Sequence, residues 1–248
     1  MTLEKRARMP YDQNMDTLVA PSLTPELTAK RDRLLDGLRG LGKTAVAFSG
    51  GIDSTLIAHY ARQFRPEAPG YFVGGMNAPD YRFAAAYADQ TGYDLRLVPF
   101  DPRSDEAFAM IDQVVEVTES FEPNLIRGAV CSLAAAQHMH RDGFRVALCG
   151  EGADELFCGY APLEVAFHES AAEGQPIRDE CLDLMNRVSL QRVDRCSMRY
   201  QVETREPFLD PAVVKYALNL DVSARASMSA HRILPGSGAS TRRYPMPT

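Results

Sequence analysis

One stretch constrains this chain more than any other: Ala45-Val46-Ala47-Phe48-Ser49-Gly50-Gly51-Ile52-Asp53-Ser54-Thr55. Val46, Ala47 and Phe48 form the short apolar run that a parallel strand covered on both faces requires. Gly50 and Gly51 let the backbone turn tightly and approach a ligand where a side chain would collide. Ser49, Ser54 and Thr55 add hydroxyl donors, and Leu56, Ile57, His59 and Tyr60 continue as a helix. The stretch therefore predicts a strand, a turn and a helix N-terminus whose unpaired N–H groups suit an anion. An ordinary glycine-rich turn is the plainer alternative for a bare Gly-Gly. No Gly-Lys-Ser/Thr follows at the right spacing, so this is not a Walker loop.

The chain around it alternates strand and helix signals. Residues 1–24 read as an irregular arm with Pro10 and Pro21. Thr24 and Pro25 open a helix as N-cap and first helical residue, with Leu27, Leu34, Leu35 and Leu38 on its apolar side. Past the glycine turn, a helix is predicted to about Phe64 and a strand over Gly70 to Gly75. Next come a helix from Asp80 to Gly92, a strand from Asp94 to Pro99 and a helix from Ser104 to about Glu119. An alanine-rich helix follows over Arg127 to His140, and then a buried strand over Phe144 to Leu148. This alternation predicts an α/β fold, a parallel sheet with helices on both faces. From Asp154 onward the pattern is helical with few strand signals. The expected organisation is a domain over 25–234, with a sheet core about 43–155 and a helical annex about 155–234. Residues 235–248, holding Gly236, Gly238, Pro245 and Pro247, read as an irregular tail.

The last buried strand runs directly into a second motif, Cys149-Gly150-Glu151-Gly152-Ala153-Asp154-Glu155-Leu156-Phe157-Cys158-Gly159-Tyr160. Ligands in folds of this kind sit beyond the carboxyl ends of the strands, where both glycine turns lie. Three carboxylates within five positions repel one another unless a cation or donors offset them. Magnesium on a nucleotide's phosphates would do so, being an oxygen-seeking ion. A solvated acidic helix start is the alternative for this motif taken alone.

Ser-Gly-Gly-Ile-Asp-Ser resembles the pyrophosphate-binding loop (PP-loop) of ATP pyrophosphatases, which split ATP into AMP and pyrophosphate. The two motifs in order resemble the synthetase domain of glutamine-dependent (class B) asparagine synthetases and of their relatives, the β-lactam synthetases. That family pairs Ser-Gly-Gly-x-Asp-Ser with Ser-Gly-Glu/Asp-Gly-x-Asp-Glu-Leu-Phe-Gly-Gly-Tyr. A third family motif stands here as Asp194-Arg195-Cys196-Ser197-Met198 followed by Glu203-Thr204-Arg205-Glu206-Pro207-Phe208-Leu209-Asp210. Together the motifs cover residues about 43–220.

The resemblance implies an adenine nucleotide α-hydrolase-like fold and an ATP-dependent ligase. Such an enzyme adenylylates a carboxylate, releases pyrophosphate and passes the acyl group to an amine, with ATP and Mg2+ as its cofactors. Ser49, Gly50, Gly51 and Ser54 match the residues that cradle the pyrophosphate. Asp53 and Asp154 match magnesium ligands, Gly150 a nucleotide contact, and Val73 a backbone contact to adenine, with Met76 near it. Glu151 matches the position tied to acyl-adenylate formation and transfer, and Arg127 an arginine that stabilises the transition state. Glu155, and Glu203 with Arg205, match positions that shape the acceptor pocket or hold the annex.

Aspartate with ammonia, giving asparagine, is the default substrate pair. A ligase or cyclase acting on another carboxylate, or a nucleotide-binding subunit impaired in catalysis, remain alternatives. Position 2 is Thr where the family's glutaminase domain begins with a cysteine, and about 44 residues precede the first strand. The expectation is a chain lacking that domain, with ammonia drawn from solution or from a separate glutaminase subunit. The family's later Arg-x-Lys segment has no counterpart lysine, since none follows Lys215. Arg232, Arg242 and Arg243 are the candidate replacements there, and arginine does not exchange its proton near neutral pH.

Composition narrows the partners. A formal charge of −6 argues against a broad nucleic-acid footprint, and no apolar run reaches the length of a membrane span. Residues 1–10 are charged and carry no secretory apolar core. Five cysteines without a CxxC pair suggest reduced thiols, hence a cytoplasmic protein.

Overall fold

A computed structural model describes residues 42–220 without a break, together with Thr24, Pro25, Thr28, Ala29 and Asp32. The arm before Thr24, the tail 235–248 and the candidate arginines 232, 242 and 243 lie outside the described residues. So do Leu27, Leu34, Leu35 and Leu38. Where the sequence predicts a helix to open, the Thr28 N–H donates to the Thr24 carbonyl at 2.8 Å, one helical turn.

The described chain runs β1 (Thr44–Ala47), α1 (Ile52–Phe64), β2 (Gly70–Val73), α2 (Tyr81–Thr91), β3 (Leu95–Val98), α3 (Asp105–Thr118), α4 (Pro123–Arg141) and β4 (Val146–Leu148). A helical annex follows: α5 (Ala153–Phe157), α6 (Ala161–Glu169), α7 (Ala171–Met185), a π-turn over Asn186–Leu190 and α8 (Gln191–Met198). The chain then returns to the sheet as β5 (Glu203–Arg205), passes a 3-10 turn at Pro207–Leu209 and closes on α9 (Pro211–Asn219). All pairings in the five-stranded sheet are parallel, in the order β3-β2-β1-β4-β5.

Strand β1 is central because its residues suit burial from both sides. Ala45 packs with Tyr71 and Ala147 against Val114 of α3 and Leu133 of α4. Val46 and Phe48 point the other way, with Phe72 and Leu148, against Ile57, Ala58 and Ala61 of α1. That two-residue alternation is the pleat of a strand with a core on each face. The annex carries a smaller cluster in which Leu163 and Phe167 of α6 pack with Cys158.

Two features depart furthest from the sequence expectation. The alanine-rich helix begins at Pro123, because Glu122 caps it by accepting the Leu125 N–H and a proline at the first helical position needs no donor. The short edge strand β5 was not expected in a helical stretch. Glu203-Thr204-Arg205 carries almost no apolar signal, and its pairing with β4 makes it a strand. Glu203 and Arg205 project from the same side of that edge and pair with each other at 2.7 Å, both half-exposed. Among the described residues no helix is long and apolar enough to cross a membrane.

Candidate active site

Strand order decides where a ligand can sit. From β1 the chain turns to β2 on one side, while β4 lies on the other, so a crevice opens between β1 and β4 at their carboxyl ends. Register brings the ends level: Thr44 pairs with Val146, and Val46 with Leu148. The loop 48–51 and the loop 149–152 therefore leave the sheet side by side. They border a pocket of about 400 Å³ lined by Ser49, Asp53, Ser54, Gly150, Glu151 and Asp154, with Val73 at the end of β2.

The loop after β1 is shaped by glycine and by its own hydroxyls. Gly50 has φ +80°, and a Cβ there would lie 2.8 Å from the Asp80 carbonyl oxygen and 2.9 Å from the Ala84 nitrogen. Both obstacles are backbone, so only glycine fits. The Ser49 N–H donates to Ser54 Oγ at 3.2 Å, the two hydroxyls are 3.0 Å apart, and the Gly51 N–H donates to Ser49 Oγ at 3.3 Å. Gly51 stands at the N-cap of α1 and, lacking a side chain, caps none of its N–H groups. The first turn of α1 thus presents backbone N–H donors and the helix dipole beside two ordered hydroxyls, a suitable seat for a phosphate chain.

The acidic loop faces it. Gly150 packs so closely on Asp53 that an added Cβ would lie 3.2 Å from the Asp53 Cβ. Asp154 lies against Gly159, where any Cβ would collide with its carboxylate. Burial first, and then the neighbouring charges of Asp53, Glu155 and Glu151, push the Asp154 carboxyl up to about 7. Asp53 is also raised, by burial and by Glu155 against the lowering effect of a backbone hydrogen bond. Burial raises Glu151 too, while Arg192 opposes the rise. Like charges collected on partly buried side chains fit a divalent oxygen-seeking cation. Among the described residues no three His, Cys, Asp or Glu groups converge into a ready metal cage. An ion held by two carboxylates and a ligand's phosphates needs none.

Glu155 is buried and accepts hydrogen bonds from the Tyr160 hydroxyl at 2.8 Å and from Ser189 Oγ at 3.3 Å. Glu151 accepts a hydrogen bond from Nη2 of Arg192, which reaches it from α8. Arg127 lies on the first turns of α4, exposed and not among the residues lining the pocket. Met76 is likewise exposed, beyond the end of β2.

The third wall of the pocket carries no distinct mark in the sequence. Cys131, Ser132 and Ala135 of α4 line the pocket, as does Asp80 before α2. Small residues one helical turn apart were the available signal, but in an alanine-rich helix they look like ordinary core packing. Cys149 and Cys158, which stand where the family motif has Ser and the first Gly of Gly-Gly-Tyr, acquire plain roles. Cys149 is buried and its Sγ donates to Glu206 Oε1 at 3.5 Å, and burial followed by Glu206 pushes the thiol well up. Cys158 has φ +61° at the end of α5, the left-handed conformation that glycine adopts most readily.

Comparison with known proteins points to one family. A family model described as asparagine synthase matches residues 36–180 and 169–235. A putative asparagine synthetase [glutamine-hydrolyzing] 1 of Methanocaldococcus jannaschii is 33% identical over 221 residues, covering 88% of this chain and 40% of that protein. The nodule asparagine synthetase [glutamine-hydrolyzing] of Pisum sativum is 27% identical over 188 residues, 71% of this chain and 31% of its own. Asparagine synthetase [glutamine-hydrolyzing] 1 of Arabidopsis thaliana is 24% identical over 192 residues, with shares of 73% and 32%. The chain thus spans between about a third and two fifths of these relatives.

Proposed function

The chain belongs to the asparagine synthase family, and on that premise we propose that it is an ATP-dependent amide-forming ligase. In this reading it joins a carboxylate to ammonia or an amine through an acyl-adenylate, releasing AMP and pyrophosphate. Aspartate is the default acid and ammonia the default nucleophile, as the names of the relatives suggest. The observation that supports it best is the pairing of two glycine loops across the β1–β4 crevice. One offers N–H and hydroxyl donors and the other carboxylates.

The chemistry follows from that arrangement. The α1 N-terminus with Ser49 and Ser54 holds the β- and γ-phosphates, while Val73 and the small side chains of α4 border the nucleoside end of the pocket. A substrate carboxylate oxygen attacks the α-phosphorus, the bond to the bridging oxygen breaks, and pyrophosphate leaves on the donors that already hold it. Asp53 and Asp154 would hold magnesium, which would supply charge neutralisation for the departing pyrophosphate. Amine attack on the acyl carbon then expels AMP. Glu151, a carboxylate raised by burial, takes the proton that the amine nitrogen must lose.

The test is pyrophosphate release from ATP and magnesium, with aspartate and ammonium supplied, omitted or replaced by other carboxylates. Aspartate-dependent release with asparagine appearing supports the reading. Release with a different acid moves the substrate, and an ATP-binding protein that releases nothing with any acid refutes the ligase assignment.

A further inference from the structure

One short stretch of the annex holds both glutamates of the acidic loop. The π-turn Asn186–Leu190 widens the helical path just before α8 and sets Ser189 and Arg192 over the two glutamates of the loop. Such turns interrupt regular helix and recur at functional sites. Ser189 holds Glu155, and Arg192 holds Glu151. The Arg192 and Glu151 side chains are only 18% and 23% exposed.

Arg192 arrives across α4, and one residue admits it. A Cβ at Gly128 would collide with Nη1 of Arg192 and lie 3.0 Å from its Cζ. Glycine in the middle of a helix weakens it, so its presence there calls for a packing reason, and the guanidinium provides one. Arg192 Nε is buried without a hydrogen-bond partner. A side chain free to choose would not leave that donor unmatched, so its placement serves the contact at its tip.

We infer that Arg192, admitted over Gly128, is the positioning residue that orients Glu151 for amide formation. The inference rests on the ligase reading above. Glu151 stands among Asp154, Glu155 and Glu206, so without a cation it would turn away from its like-charged neighbours toward water. A planar guanidinium fixes the plane of a carboxylate as well as its charge, which a lysine ammonium does not.

Single and combined variants separate this role from a simple tie between annex and sheet. Arg192→Ala is expected to keep its KM for ATP within about twofold while kcat for amide formation falls by about 100-fold, the loss typical of a misplaced reacting group. Guanidinium ion added to this variant restores about tenfold of that loss, and Arg192→Lys retains an intermediate kcat. Gly128→Ala pushes the guanidinium aside and lowers kcat by about tenfold, yet has no further effect when combined with Arg192→Ala. Melting temperatures of Arg192→Ala, Glu151→Gln and the double variant supply a readout that needs no activity. A direct pair makes the double variant about 3 °C or more better than the sum of the singles. Additive melting effects, or a Gly128→Ala loss that persists undiminished without Arg192, would overturn the inference. A wild-type protein inactive with every acid would overturn the ligase reading instead, and the melting cycle would still judge the pair.

Discussion

Asp154→Asn is expected to make the ligand-free protein more stable and the enzyme inactive, with the size of the first effect set by pH. The Asp154 carboxyl is pushed up to about 7 from an ordinary 3.8, by burial first and then by Asp53, Glu155 and Glu151. Between those values the folded protein binds a proton that the unfolded chain has released. Stability therefore falls as pH rises from about 4 to about 7, and the loss is complete above that. About three pKa units correspond to about 4 kcal/mol at pH 8. Because the neighbouring carboxylates share the strain and relax when one charge is removed, a gain of about 2–4 kcal/mol for the amide is the reasoned range. For a chain of this size that is about 4–16 °C in melting temperature.

The assay is thermal unfolding followed by circular dichroism at pH 5 and pH 8, with and without MgATP. At pH 5 the folded wild type still carries the proton but the unfolded chain has released it, so about a third of the effect is already present and the two proteins should melt within about 6 °C of each other. At pH 8 the variant should melt higher, and MgATP should raise the wild type while leaving the variant nearly unmoved. The variant should release no pyrophosphate at either pH. An Asp154→Asn protein that melts below wild type at pH 8, or a wild type whose stability does not fall between pH 5 and pH 8, would refute the argument. In that case the cluster would already be neutralised by the fold itself.

Other perturbations probe the rest of the site. Asp53→Ala should abolish pyrophosphate release without loss of helical circular dichroism, and release at the wild-type rate would remove it as a magnesium ligand. Glu151→Gln should bind ATP normally by calorimetry yet form amide at least about 100-fold more slowly, and unchanged product formation would remove it from the mechanism. Gly50→Ala places a methyl against the Asp80 carbonyl and Ala84 nitrogen in a left-handed backbone. It should cost about 1–3 kcal/mol of stability and weaken ATP binding, and unchanged melting and affinity would disprove the close approach. Buried Cys149, its thiol raised by burial and Glu206, should resist iodoacetamide in the folded protein, and rapid alkylation at pH 8 would contradict its packing.

Much of this protein could be read along the chain because the information was local. The apolar run into Ser49-Gly50-Gly51 dictates a strand, a turn and a helix start whatever surrounds it, and the same holds for Leu148 running into Gly150. Alternation of strands and helices was enough for the parallel sheet, and the carboxyl-end rule placed both loops on one side of it. Three things needed the tertiary structure. Strand β5 exists through its pairing with β4, since Glu203-Thr204-Arg205 has no apolar rhythm of its own. The α4 wall depends on which side of an alanine-rich helix faces the crevice, which periodicity does not specify when nearly every side is small. The cation beside Glu151 depends on a contact between residues 41 positions apart in sequence, Arg192 reaching over the bare backbone of Gly128. Sequence by itself determined the kind of loops and the order of the elements, because backbone geometry and burial act over a few residues. Only the folded chain decided which charges meet, because electrostatic partners are chosen by distance in space.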